Sequence, residues 1–184
     1  METQPARRRD HLYRVVVRML AVMLLPVAFL VSPRQARQVA CQWALSARFP
    51  AEDLTGLTPA TRAAFRAART QALWRDGELI GLTSGYREAH EQARLFADAV
   101  RRARSPELAR MWVLPPDESQ HVAGRALDVR PTEGARWLER HGRRFHLHRV
   151  YDNEWWHFEY HPEGPPRRRA HPGEPTAIHG DARP

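Results

Sequence analysis

Two short stretches hold the residue types that do metal chemistry: Ser119-Gln120-His121-Val122-Ala123-Gly124-Arg125-Ala126-Leu127-Asp128, and Glu154-Trp155-Trp156-His157 about one helix and one strand further on. Two imidazoles and one carboxylate can hold a zinc ion with one coordination position open, and an unligated carboxylate nearby can take a proton from a water placed there. His121, Asp128 and His157 supply the first set, and Glu154 is the candidate for the second role. His121 and Asp128 are seven residues apart with Gly124 between them. That gap suits a ligand leaving a loop, a tight bend, and a second ligand on the strand returning past the same point. Glu154 precedes His157 by three residues, and in a regular strand residues so spaced face opposite sides. The pair therefore needs an irregular approach, for which Asp152 and Asn153 are suitable turn formers. The same donors would also accept other divalent metals.

The two stretches spell S-x-H-x-x-G-x-A-x-D followed by E-x-W-H. In this the chain resembles the VanY-type zinc D-alanyl-D-alanine carboxypeptidases, a family related to VanX-like dipeptidases, phage L-alanyl-D-glutamate peptidases and hedgehog-like domains. Ser84-Gly85-Tyr86-Arg87, with Gln92 at the family's spacing, extends the resemblance over roughly residues 55 to 161. The resemblance implies one Zn2+ ion held by His121, Asp128 and His157, with Glu154 as general base and Arg87 steadying negative charge in the transition state. A guanidinium donates in a planar fork that suits an oxyanion or a substrate carboxylate. Ser84, Tyr86, Gln92 and Ser119 are candidates for binding the substrate, with packing or turn roles equally open for Ser84 and Tyr86. Trp155 stands where the family usually has a small residue or proline, and reads as a core residue. His146, His148, His161, His171 and His179 lie outside the motifs and read as surface residues; His90 and His141, in helices, read the same way.

By this resemblance the expected activity is that of a D,D-carboxypeptidase removing the terminal D-alanine from peptidoglycan stem peptides or their precursors. The same residues serve L-alanyl-D-glutamate endopeptidases and D-alanyl-D-alanine dipeptidases. A non-catalytic zinc-containing cell-wall binding module is the alternative from another class, disfavoured because such a module has no need of a base beside the metal.

These residues need a scaffold, and the pattern of the chain supplies one. Thr58 offers an N-cap with Pro59 at the first helical position, and Phe65, Ala68, Ala72 and Leu73 fall on one face before Asp76-Gly77. Leu79 to Thr83 reads as a buried strand delivering Ser84 to Arg87. A helix from about Glu88 to Ala103 puts Ala89, Ala93, Phe96 and Val100 on one stripe, and 105 to 120 reads as loop. Ala126 to Val129 is the next strand, Thr132 caps a helix to about Arg140, and 145 to 160 reads as a strand pair turning near Asp152 and Asn153. The fold class is α+β, a small antiparallel sheet with flanking helices, as the family's fold would be. Its boundaries are a signal peptide or signal anchor over 1–41, a connector over 42–57, the zinc peptidase domain over 58–164, and a disordered tail over 165–184 that lacks anything to bury.

The formal charge of +8 invites a nucleic-acid reading. Its distribution argues against one: residues 42–165 hold eighteen Arg against seventeen Asp and Glu, a net of +1, with the excess at the two ends. The single cysteine, Cys41, excludes an intrachain disulfide. Arginines precede the apolar run Met19 to Val31, which points to export of the rest of the chain, with membrane attachment if the leader is uncleaved. The expected location is the outer face of the cytoplasmic membrane, the cell wall or the medium.

Overall fold

A computed structural model of the chain describes residues 4–174. The elements run α1 (Gln4–Val31), α2 (Ala36–Arg48), α3 (Pro59–Gln71) continued by a π-helical turn Ala72–Asp76, β1 (Gly81–Ser84), α4 (Ala89–Ala103), α5 (Pro106–Arg110), β2 (Ala126–Arg130), α6 (Thr132–His141), β3 (Leu147–Arg149) and β4 (His157–Tyr160). The four strands form one antiparallel sheet in the order β1-β2-β4-β3.

Alternation along the strands separates an apolar face from a polar one. Leu82, Leu127, Val129, Leu147 and Phe158 turn to the apolar side and pack against Phe65 and Ala68 of α3 and Trp137 and Leu138 of α6. Thr58 caps α3 as its spacing suggests, its hydroxyl accepting from the Thr61 amide. Trp137 is fixed in the core by its indole N–H, which donates to Asp76 at 2.7 Å. Asp128 and His157 are left on the other face, directly opposite each other across β2 and β4, with Ser84 next in the row across β1.

Several local expectations change. Thr132 opens α6 without capping it: Pro131 occupies the cap position and no side chain supplies a capping bond. On α4 the inward residues are Gln92 and Ala99 rather than Ala89 and Ala93, which are exposed. The loop 105–120 holds the short helix α5, whose Ser105 hydroxyl accepts from the Leu108 amide. Trp155 is not core but more than a third exposed, and His148 is buried rather than at the surface.

The expected connector 42–57 is part of the packed structure. Its first half completes α2, and Glu52 then reaches two elements at once, accepting from Arg69 at 2.8 Å and from the backbone N–H of Leu82 in β1. Both charged side chains of the Arg69–Glu52 pair are buried. Removing one partner of such a pair leaves an uncompensated charge, so Glu52→Ala is expected to lower unfolding free energy by about 3–5 kcal/mol, read from the urea midpoint. An unchanged midpoint would mean that the pair does not hold β1 to the preceding segment.

The apolar N-terminal run is the middle of one long helix. Asp10–Val31 is long and apolar enough to cross a membrane, with a mean hydropathy of 2.2. One stripe of α1 is nevertheless committed elsewhere: Val17 and Ala21 pack with Cys41, Ala44 and Leu45 of α2 and with Leu73 and Leu79, and Ala28 packs with Ala36 and Ala40. Arg14 pairs with Glu78 at 3.0 Å. The opposite side, with Val16, Met19, Met23 and Leu30, is exposed. Cys41 is enclosed in this second core, where burial pushes its thiol up to about 11 and keeps it protonated and inert at neutral pH.

Residues 165–174 differ from the disordered tail expected of them. They run back along the domain, pairing in parallel with Tyr151 through Arg169, and the Asp152 and Asn153 amides donate to the carbonyls of Arg169 and Ala170. The expectation for 175–184, including His179, falls outside the described residues.

Candidate metal centre

His121 leaves a tight turn in which the Gly124 amide donates to its carbonyl, and the Thr58 amide donates to the carbonyl of Gly124. Gly124 adopts a φ of +66°, and a Cβ there would come within 2.6 Å of the Gly56 carbonyl oxygen. Only glycine fits so close a left-handed bend, and the bend returns the chain into β2 with Asp128 facing His121. The approach to β4 is irregular, as the spacing requires. The His157 amide donates to the Glu154 carbonyl and the Val129 amide to that of Trp156, which places Glu154 and His157 on the same side.

The result is a compact group. One ligand atom from each of His121, Asp128 and His157 lies within 4.8 Å of the others. His121 Nε2 is 3.4 Å from Asp128 Oδ2, and His157 Nδ1 is 3.0 Å from Asp128 Oδ1. Donors gathered this closely could hold one metal ion between them. The remaining ring nitrogens are already engaged. His121 Nδ1 lies 2.6 Å from the Gly85 carbonyl, which can only accept, so that nitrogen carries the proton and Nε2 is left as a ligand. His157 Nε2 lies 3.1 Å from Glu159 Oε1, which leaves Nδ1 free in the same way. This set fits zinc.

Glu154 Oε2 is 3.8 Å from His157 Nδ1, beside the group without belonging to it. Burial is the main influence on its carboxyl, followed by attraction to His157, and the balance with Asp128 and Glu159 pushes it up to about 7. Burial would also raise Asp128, yet hydrogen bonds from the two imidazoles hold it well below the carboxylate range. For His157, burial opposes the cation, but Asp128 and Glu159 outweigh it and raise the imidazole to about 10. A metal cation among these donors would take over the attraction that now favours that proton.

The group opens onto a cavity of about 300 Å3. Arg87, Gln92 and Ser119 line it together with His121, Asp128, Glu154 and His157. Arg87 is bound to the metal turn through its backbone N–H, which donates to the His121 carbonyl at 3.2 Å. Its guanidinium donates to Gln92 Oε1 at 2.6 Å and to Ser84 Oγ at 3.0 Å, and Gln92 Nε2 in turn donates to the Leu114 carbonyl. Gln92 and Ser84 thus aim Arg87, and Ser84 does not reach the cavity wall. Tyr86 is also absent from the wall. Its ring lies against Gly56, where a Cβ would come 2.1 Å from Cδ1.

Several contributors were not anticipated. Glu159 bonds His157 through one oxygen and His161 Nε2 through the other at 2.8 Å; burial would raise its carboxyl, but these bonds bring it down to about 2. Tyr151 stacks on the His157 ring with centroids 5.1 Å apart, and Pro172 of the returning C-terminal segment joins the cavity wall. A signal for Glu159 existed, since a residue two beyond His157 must share its strand face.

The donor set, the adjoining buried carboxylate and the open cavity define a zinc metallopeptidase centre. Comparison with known proteins narrows the class. The chain matches the family model for VanY, D-alanyl-D-alanine carboxypeptidase, over residues 41–163, and it belongs to that family. Among solved structures it is similar to a mutant of the vancomycin-resistance D,D-pentapeptidase VanY from a VanB-type resistance cassette, in complex with Zn(II). That similarity has a TM-score of 0.51 and 25% identity, covering 59% of this chain and 76% of the other. It is similar in fold to VanYB in complex with D-alanine-D-alanine, at a TM-score of 0.51 and 24% identity over 56% of this chain and 71% of that one. No curated protein sequence matches it. The family, the zinc-bound relative and the donor set together make this chain a zinc carboxypeptidase.

Proposed function

We propose that the chain removes the terminal D-alanine from peptidoglycan stem peptides or their precursors, with His121, Asp128 and His157 holding one zinc ion, Glu154 as general base and Arg87 as the anion-binding group. The observation that carries this reading is Glu154 beside the ligand triad in one open cavity. Zinc bound there supplies a Lewis acid for the scissile carbonyl and lowers the pKa of a water. Glu154 takes the proton as that water attacks and passes it to the leaving amine. Arg87 is the one guanidinium on the cavity wall among the described residues. With Gln92 and Ser84 engaging two of its N–H groups, the remaining ones are available to the developing oxyanion or the free carboxylate of the peptide. Ser119 is placed to hold the substrate terminus, whereas Gln92 serves by orienting Arg87.

We place the activity outside the cytoplasmic membrane. The flanking arginines and the apolar length of α1 support export, and its exposed face supports attachment to a bilayer. The test is D-alanine release from a peptidoglycan pentapeptide by the full chain, with and without chelator and with zinc restored. Chelator-sensitive release that returns with zinc is expected. Cleavage between L-alanine and D-glutamate instead would keep the site and move the substrate, and a zinc-loaded protein cutting neither bond would overturn the reading. In the same assay Arg87→Ala is expected to lose about 10²–10³-fold in kcat/KM with zinc content unchanged, the scale for removing one preorganised donor to an oxyanion. A change of less than severalfold would take Arg87 out of the mechanism.

A further inference from the structure

The family match ends at residue 163, yet the chain beyond it returns to the metal centre. The segment is tied down by its own backbone: the Arg169 amide donates to Val150, and the Asp152 and Asn153 amides donate to Arg169 and Ala170. Glu174 then closes it into a compact turn by accepting from the Ala170 amide and from Arg167. Arg169 is thereby set beneath Tyr151, with its guanidinium carbon 4.9 Å from the ring centroid and Nη2 donating to the phenolic oxygen at 2.8 Å.

The direction of that last bond matters. A guanidinium only donates, so Tyr151 Oη accepts from Arg169 and its own proton is left to go elsewhere. It lies 3.4 Å from Glu159 Oε1, and that oxygen is 3.1 Å from His157 Nε2. A continuous path therefore runs from Arg169 through the Tyr151 hydroxyl and the Glu159 carboxylate to the imidazole whose other nitrogen faces Asp128. The Tyr151 ring reinforces it by stacking on His157 at an interplanar angle of 30°. Partners that orient a ligating histidine commonly set metal affinity as well as ring position.

We propose that Arg169 is a positioning residue for the zinc site, fixing His157 through Tyr151 and Glu159, so that the C-terminal segment is part of the metal centre. The proposal rests on the reading of His157 as a zinc ligand. Arg169 sits three links from the ligand, which puts the expected effect at the lower end of what such partners cost. Arg169→Ala is expected to weaken zinc affinity about tenfold, with a matching rise in the zinc release rate, and to regain most of its kcat at saturating zinc.

The experiment measures zinc affinity of the full chain by competition with a chromophoric chelator, alongside D-alanine release at saturating zinc. Arg169→Lys keeps a donor and is expected to recover most of the loss. Arg168→Ala controls for loosening of the segment, because Arg168 belongs to the same stretch but pairs outward with Glu139 and Asp152. It is expected to leave zinc affinity unchanged. Tyr151→Phe keeps the stacked ring and removes the relay, so adding Arg169→Ala to it is expected to cost less than about twofold more, a non-additivity that marks residues acting in series. Full additivity with Tyr151→Phe, or an equal loss in Arg168→Ala, would overturn the proposal. Zinc affinity in Arg169→Ala matching the wild type would do the same. Wild-type protein that binds no zinc would instead overturn the assignment of the metal centre itself.

Discussion

Glu154→Gln is expected to lose about 10²–10⁴-fold in kcat/KM while keeping one zinc per chain, the range that a positioned general base supplies. Glutamine preserves the volume of a buried side chain on the cavity wall, so the substitution removes basicity with little change in packing. The carboxylate is well placed for the work. It stands 3.8 Å from His157 Nδ1, beside the ligand triad and outside it. Burial has already removed much of its hydration, which pushes it up to about 7. A divalent cation bound beside it would lower that value again and favour the ionised carboxylate. Measuring zinc by mass spectrometry of the native protein together with D-alanine release separates the two outcomes. Full activity in Glu154→Gln would show that another group takes the proton, whereas loss of zinc along with activity would make Glu154 a ligand.

The site was more legible in the sequence than the structure around it, and the reason is chemical. Ligand types are scarce and their spacing is constrained, so His121, Asp128 and His157 stand out before any fold is known. The strands that align them are also visible from alternation, and Asp128 does fall opposite His157 in the sheet register. What escapes is what depends on contacts between distant residues. The segment 165–174 is rich in Pro and Arg and has no apolar stripe, so composition alone reads it as disordered. It is held by Arg169 against Tyr151 and by Glu174 against its own backbone, contacts that no period reveals.

The helix α2 escapes for a different reason. Its inward residues Ala36, Ala40, Cys41, Ala44 and Leu45 keep helical spacing, but alanines give a weak apolar signal among arginines and glutamines. Their small size is what lets α1 lie close against them. His161 reads as a surface residue from sequence because it lies outside the motifs. Its position four beyond His157 puts it past the end of β4, where it bonds the far oxygen of Glu159. Tyr86 shows the converse failure. It lies inside a recognised motif, yet its ring serves packing against Gly56 while its neighbour Arg87 faces the cavity.

Asp128→Ala is expected to abolish zinc binding and with it all activity, a larger loss than any outer partner causes. Asp128 is the only carboxylate in the triad, and its two oxygens face different imidazoles, Oδ2 toward His121 and Oδ1 toward His157. Truncation therefore removes a ligand and the bond that sets each ring's approach. Two neutral imidazoles remain, with no anionic donor to offset the metal charge. Glu154 is the nearest replacement, but it arises from a turn before β4 and would have to abandon its place beside the site to ligate. Loss of zinc affinity should accordingly exceed the roughly 10–100-fold typical of outer-shell partners. Asp128→Asn provides the matched comparison, since it keeps the shape and loses the charge. Equilibrium dialysis against zinc, with circular dichroism to show that α3 and α6 remain folded, gives the answer. A folded Asp128→Ala protein that still held one zinc at wild-type affinity would remove Asp128 from the ligand set and require a different third donor beside His121 and His157.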